Sequence, residues 1–267
     1  MFDSGFGGLT VARAVIDLLP SQPVVYVGDT GRYPYGPRPM AEVAQFARQI
    51  GRWLVEEHQI KVLVVACNTA SAAALDVLDD ELGVPVIGVI DPGVRAMLSA
   101  TRSGHVGVIG TVGTISSGAY QRTVAAASDE VKLTCAACPG FVEFVERGEF
   151  RGDQVHVLAE RLLAPLADAG VDTLLLGCTH YPYLARTIAD VMGRDVVLVS
   201  SADETAFALA EALGPPARAP AGEPSPARHR WFSSGDLGSF QALGQQLLGP
   251  ELDQAEALVW PTEPVEP

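Results

Sequence analysis

Lysine is nearly missing from this chain: 267 residues hold only Lys61 and Lys132, and both fall at the starts of predicted strands. Chemistry built on a lysine Schiff base, pyridoxal phosphate chemistry above all, therefore has no well-placed residue to carry it. Basic clusters are missing too. The positive charge is scattered as single arginines and the formal net charge is −14, which excludes nucleic acid as a principal partner because phosphate binding needs a basic face. An acidic surface does not forbid a small acidic ligand, which responds to local amide dipoles more than to distant charge. Long apolar runs are also lacking. Val62–Ala66 and Thr173–Leu176 are strand-sized, far short of the ~18 residues of a membrane span. Residues 1–20 show no basic segment followed by an apolar core, so no signal peptide is read and the expected location is the cytoplasm.

Cysteine is sparse, at four residues: Cys67, Cys135, Cys138 and Cys178. In a cytoplasmic chain, disulfides are not expected. Cys135 and Cys138 have C-x-x-C spacing, but no second pair or His pair completes a zinc set, so no metal is expected. Cys135 reads as a strand residue and Cys138 as its end, before Pro139.

What the chain does have is a repeated alternation. Short β-rich runs are predicted at 24–28, 62–66, 84–89, 106–110, 131–134, 173–177 and 196–199. Helix-length amphipathic stretches lie between them, for example at 40–58, 70–82, 153–169 and 202–213. Near-continuous Val/Leu/Ile strands alternating with helices predict an α/β protein with mainly parallel sheets covered on both faces. Asp91-Pro92-Gly93 breaks the pattern and is read as the crossing between two α/β halves. One half is residues 1–92 with a return of 207–267, and the other is 93–206. Gly214–Ala227, rich in Pro and Ala, reads as an exposed linker, and the tail from Thr262 as poorly ordered.

The halves echo each other. One strand ends in Cys67-Asn68-Thr69 and another in Cys178-Thr179-His180. Ligands of open α/β sheets sit beyond the carboxyl ends of strands. A helix opening there offers free N–H groups and a positive dipole end, which suit a thiolate or a carboxylate. One such cysteine is ordinarily an inert core residue; two in matching positions point to chemistry. Inverting an amino acid at Cα requires a base on one face and an acid on the other. Two thiols meet that need, since an unperturbed thiol has a pKa of about 8.5 and a protein can hold either form.

Asp3-Ser4-Gly5-Phe6-Gly7-Gly8-Leu9-Thr10, Tyr26–Thr30, Pro34-Tyr35-Gly36, Ala66–Ser71 and Gly177–Pro182 resemble, in order, the successive signatures of the glutamate racemases. The resemblance runs from about residue 2 through Ala206 and more weakly to about 250. It implies two pseudo-symmetric α/β domains with the active site in the cleft between them. It also implies cofactor-independent interconversion of L- and D-glutamate, supplying D-glutamate for peptidoglycan. By the resemblance Cys67 is the base towards D-glutamate and Cys178 the base towards L-glutamate, with Asp3 near Cys67 and His180 near Cys178. Asp3, Ser4, Tyr35, Gly36, Asn68, Thr69, Thr179 and His180 are expected to line the substrate. Thr111 and Thr114 are weaker candidates for its side-chain carboxylate, and Glu146 for supporting the His. The partner implied is glutamate, and a homodimer is left open. Family members usually carry several residues before the Asp-Ser-Gly segment, whereas only Met1 and Phe2 precede it here; either the true start lies upstream or the central strand is curtailed. An aspartate racemase is disfavoured because Glu commonly stands there where this chain has His180. A purely binding protein is disfavoured because recognition needs neither thiol.

Racemisation is expected to survive exhaustive dialysis against a chelator and to need no pyridoxal phosphate. Loss on dialysis, restored by a metal or by pyridoxal phosphate, would overturn the two-thiol reading.

Overall fold

A computed structural model describes residues 1–214 and 227–260. The expected linker falls almost wholly outside the described residues, as does the tail from Thr262. The chain first lays down β1 (Phe2–Asp3), α1 (Leu9–Leu18), β2 (Val25–Gly28), α2 (Met40–His58), β3 (Leu63–Val65), α3 (Asn68–Leu82) and β4 (Val86–Gly88). Helix α4 (Ile90–Ala100) leads to β5 (His105–Gly110), α5 (Val112–Ser116), α6 (Ala119–Ala127), β6 (Lys132–Ala137), α7 (Phe141–Glu146) and α8 (Asp153–Asp168). Then come β7 (Thr173–Gly177), a 3-10 turn (Tyr181–Leu184), α9 (Ala185–Met192) and β8 (Val197–Val199). The chain returns through α10 (Ala202–Leu213) to β9 (Arg230–Ser233), α11 (Leu237–Leu248) and β10 (Glu256–Ala257).

The strands form two sheets, ordered β10-β9-β2-β1-β3-β4 and β6-β5-β7-β8. Every pairing is parallel, and helices cover both faces of each sheet, as the α/β pattern predicts. The period of two along a strand sorts its side chains. On β3, Leu63 and Val65 pack against α2 and α3, while Val64 and Ala66 pack against α1 and α10. On β7, Leu174 and Leu176 face α8 and α9, and Leu175 faces α4 and α6. Cys67 and Cys178 each continue one of these buried rows just past the strand. Helix α2 shows the complementary period, its buried Val43, Ala47, Ile50, Gly51 and Leu54 forming one stripe.

Asp91-Pro92-Gly93 is not a break. It lies in the first turn of α4, where a proline's missing N–H has no intrahelical partner to lose. A Cβ at Gly93 would stand 3.1 Å from Ser201 Cβ and 3.2 Å from a Leu175 methyl, so the glycine lets α4 lie close on β7. The passage from one sheet to the other is this helix. Arg230–Ser233, not among the predicted strands, enters the first sheet between β2 and β10. Among the described residues no helix is long and apolar enough to cross a membrane.

Leu63 is fully buried two residues before the turn that carries Cys67. Leu63→Ala is expected to cost about 2–5 kcal/mol of unfolding free energy in urea titrations, and a cost under about 1 kcal/mol would contradict this packing. Val259, 84% exposed, gives the comparison: Val259→Ala should stay within about 0.5 kcal/mol of the parent chain.

Candidate active site

The carboxyl ends of both sheets open on one cavity of about 90 Å³. The first sheet contributes Asp3, Ser4, the loop 33–37, Cys67, Asn68 and Thr69. The second contributes Thr111, Val112, Cys138, Pro139, Gly140, Val142, Glu143, Cys178, Thr179 and His180. Cys67 is the N-cap of α3, in extended conformation, its carbonyl accepting from Ser71 N at 2.8 Å. Cys178 is not at an α-helix start, contrary to the sequence expectation. The α-helical bond to its carbonyl would come from residue 182, a proline without an N–H. Tyr181 N donates to that carbonyl instead, at 3.0 Å, and the chain takes a 3-10 turn.

Of the residues expected from the sequence, all but Thr114 and Glu146 line the cavity, and these two stand directly behind it. Thr114 Oγ1 lies 3.1 Å from Thr69 Oγ1 and 2.9 Å from Thr111 Oγ1, closing a ring of three hydroxyls. Glu146 Oε1 lies 2.9 Å from His180 Nε2, and His180 Nδ1 lies 3.9 Å from Cys178 Sγ. Tyr33, Val112, Cys138, Val142 and Glu143 also line the cavity and were not anticipated. The strand-end rule could have pointed to Cys138 and Pro139, which follow β6. Cys135 sits three residues earlier on the opposite face of the sheet, packed against the α4 and α6 layer, so the two C-x-x-C thiols diverge. Among the described residues no group of three or more His, Cys, Asp and Glu side chains is gathered for a metal.

Asp3 is almost fully buried. Its Oδ1 accepts from Gly5 N at 2.8 Å and its Oδ2 from Thr179 Oγ1 at 3.1 Å, so it ties the two sheets together inside the cavity. Burial raises its pKa, against the lowering effects of the His180 charge and of these hydrogen bonds. Burial also pushes the Cys67 thiol well above the usual thiol range. The Asp3 charge adds to the rise, N–H groups of Ala70 and Ser4 oppose it, and the Cys178 charge adds a further increment. For His180 burial acts downward, but the hydrogen bonds to Cys178 and Glu146 and the charges of Cys178 and Asp3 outweigh it. Its pKa is raised to about 10. Asn68 accepts from Tyr120 Oη through its Oδ1, while its buried Nδ2 has no partner among the described residues. An amide donor left free at a cavity wall suits an anionic ligand.

Two chain segments that cross at this site need glycine. A Cβ on Gly7 would fall 2.3 Å from His180 Nδ1 and 2.5 Å from Thr179 Oγ1. The glycine-rich start of the chain thus lies directly on the Cys178–His180 segment that follows β7.

The His180–Glu146 pair makes a pH prediction. His180's folded pKa of about 10 lies above the ordinary value of 6.5. Its stabilising contribution is therefore complete below about 6.5 and lost as pH rises through about 10. In ¹⁵N-histidine NMR titrations His180 should stay imidazolium through neutral pH, and in Glu146→Gln it should titrate at lower pH. The urea midpoints of the two proteins should differ most below pH 6.5 and converge towards pH 10. An ordinary titration near 6.5 in the parent chain, or no change in Glu146→Gln, would contradict the pairing.

The family model for Asp/Glu/hydantoin racemases matches residues 10–209. A glutamate racemase of Acidothermus cellulolyticus is 49% identical over 263 residues, covering 97% of each chain. A crystal structure of a glutamate racemase isoform from Bacillus anthracis superposes with a TM-score of 0.88 at 40% identity, covering 97% of this chain and 96% of that one. The structure of glutamate racemase from Francisella tularensis in complex with D-glutamate superposes with a TM-score of 0.85 at 30% identity, over 96% of this chain and 95% of that one. With two thiols from two parallel sheets in one cavity and this similarity along almost its whole length, the chain belongs to the Asp/Glu/hydantoin racemase family.

Proposed function

We propose that this chain interconverts L- and D-glutamate by a two-base proton transfer that uses no cofactor, with Cys67 and Cys178 as the two bases. The observation that carries the reading is the placement of Cys67 from the first sheet and Cys178 from the second in one cavity, each beside a polar side chain, Ser4 and His180, whereas Cys138, the third buried thiol there, has only the Ala136 carbonyl at 3.9 Å. The choice of glutamate rests on the near full-length relatives, which are glutamate racemases at about half identity.

In the direction from L-glutamate, Cys178 as thiolate removes the α-proton. The electron pair left on Cα spreads into the α-carboxylate, and the Cys67 thiol delivers its proton to the opposite face. The product is D-glutamate, and the enzyme is left with a neutral Cys178 and an ionised Cys67. The reverse direction begins from that state. Burial and the Asp3 charge favour the neutral form of Cys67 in the free protein, the form needed by the acid for L-glutamate. His180, 3.9 Å from Cys178 Sγ and paired with Glu146, supports the proton traffic at Cys178. Free N–H groups at the start of α3 and Asn68 Nδ2 are the donors offered to a substrate carboxylate. Ser4, Tyr35, Gly36, Thr69, Thr111 and Thr179 complete the wall, with Thr114 behind it. The site lies between the part of the chain built on the first sheet and the part built on the second. In this reading the enzyme works in the cytoplasm, supplies D-glutamate for peptidoglycan, and has glutamate rather than nucleic acid or membrane as its partner.

Circular dichroism of purified protein with L-glutamate should show loss of optical rotation, and with L-aspartate none. Replacing either thiol by Ser should abolish racemisation in both directions, because a hydroxyl is far less acidic and turnover needs both groups. Partial reactions should separate. In deuterated water Cys178→Ser should still exchange the α-proton of D-glutamate slowly and that of L-glutamate much less, and Cys67→Ser should show the reverse. One positioned base is worth roughly 10²–10⁴ in rate, so proton NMR resolves the asymmetry. Near-parental racemisation by either variant would remove that thiol from the mechanism, and equal loss of exchange with both enantiomers would overturn the face assignment.

A further inference from the structure

The proton chemistry leaves one buried carboxylate without a role. Asp29 follows β2, is fully buried, and touches none of the cavity. Four side chains donate to it. Its Oδ2 accepts from Arg32 Nε at 2.7 Å and from Tyr35 Oη, and its Oδ1 from Ser234 Oγ at 2.6 Å and Trp260 Nε1 at 2.8 Å. A carboxylate has about four acceptor positions, so its capacity is used in full.

The donors come from two separate parts of the chain. Arg32 and Tyr35 belong to the loop after β2, and Tyr35 and Gly36 of that loop line the cavity. Ser234 and Trp260 belong to the returning C-terminal segment. The loop reaches across to the second sheet, where Gly36 O accepts from Gly113 N at 2.9 Å. Asp29's own N–H donates to Asp3 O at 3.0 Å. The guanidinium of Arg32 is held between Phe46, 4.2 Å from its ring centre, and Trp260, at 4.7 Å. One buried anion therefore fixes the phenol of a cavity residue on one side and two residues of the C-terminal return on the other.

We infer that Asp29 is a positioning residue for substrate binding: it holds Tyr35 and Gly36 in the cavity wall and makes Ser234 and Trp260 part of that support. The inference rests on the reading of the cavity as the glutamate site. An amide in place of the carboxylate keeps the shape and fails chemically. Asparagine offers one acceptor oxygen and turns an NH2 towards two of the four donors. The Tyr35 ring then loses its tether and the wall against the substrate its fixed shape, which weakens binding of substrate more than it disturbs the thiols, since neither thiol is carried by this loop.

The test measures steady-state kinetics in both directions and, needing no turnover, the Kd for D-glutamate by isothermal titration calorimetry. Asp29→Asn should raise KM and Kd at least about tenfold, with kcat falling much less. The double variant Asp29→Asn/Tyr35→Phe should lose no more than the worse single variant, because both act through one contact. Asp29→Asn leaves a buried site with four donors and a half-buried Arg without its charge partner and can fail to fold, so Trp260→Phe/Ser234→Ala supplies a second route. It strips both Oδ1 bonds, keeps an aromatic ring beside Arg32 and leaves the Asp29–Arg32 pair intact. Its KM and Kd should rise several-fold with kcat within about twofold, as loss of two hydrogen bonds that act only on geometry would give. Parental KM and Kd in this variant, or in a folded Asp29→Asn protein, would overturn the inference while leaving the racemase reading intact. Additive losses in the Asp29→Asn/Tyr35→Phe protein would overturn the route through Tyr35. A parental chain that turns over and binds no glutamate would remove both readings together.

Discussion

Close approach of the Gly7 backbone to the Thr179 and His180 side chains at the cavity is the constraint on which the rest of this site depends. The loop after β1 runs against Thr179 and His180 so tightly that Gly7 has no room for even a methyl group. Around that contact Asp3 accepts from Thr179 Oγ1 at 3.1 Å, and Thr10 Oγ1 approaches Thr179 O at 3.4 Å. On another side of the cavity Gly113 N donates to Gly36 O. These bonds join the sheets where the thiols meet. The interactions that set the distance between the thiols are thus the same ones that set the relation of the two halves.

Burial has opposite consequences for the groups gathered there. A dry site is what a weakly acidic Cα–H requires, since fixed dipoles act strongly only where water is excluded. The same dryness opposes ionisation of Asp3 and Cys67. Where a charge is retained, a partner is built in. His180 is the clearest case: burial would discharge it, and Glu146 with Cys178 keeps it cationic to about pH 10. Glu146 comes from the end of α7, and its side chain is only 16% exposed. The positive charge is therefore anchored by an element that carries no reacting group.

Much of this was legible in the residues, and the failures have physical causes. Met40–His58, Thr173–Gly177 and Ala202–Leu213 are the observed elements to the residue, because strong local periodicity and clear stops agreed there. Cys67 was found at a helix start because strand, cysteine and helix follow one another locally. The two-residue β1 and β10 carry no periodicity to detect and exist only through their neighbours in the sheet. Arg230–Ser233 becomes a strand because β2 has an edge to offer it, a fact about residues two hundred positions away. Asp91-Pro92-Gly93 misled because Pro and Gly signal turns on average, whereas the first turn of a helix tolerates both. The 3-10 turn after Cys178 was within reach, since Pro182 stands at the one position where the α-helical donor would be. Tyr33 and Glu143 had no local signal, and Asp29 stood in a signature segment with nothing to show its role; their importance arises only from where the loops meet.

The unequal surroundings of the two thiols follow from the smallness of the site. In a cavity of about 90 Å³ the Cys178 charge raises the Cys67 pKa. Two identical supports would give two states of similar energy with neither proton placed, since interacting acids titrate as a pair. The halves repeat the strand-end cysteine and depart from each other in everything around it. Cys67 caps a helix beside a carboxylate that disfavours its ionisation. Cys178 stands before a 3-10 turn beside an imidazole held cationic by Glu146. The repeat supplies two strand-end thiols to one cavity, and the departures from the repeat give them unlike surroundings.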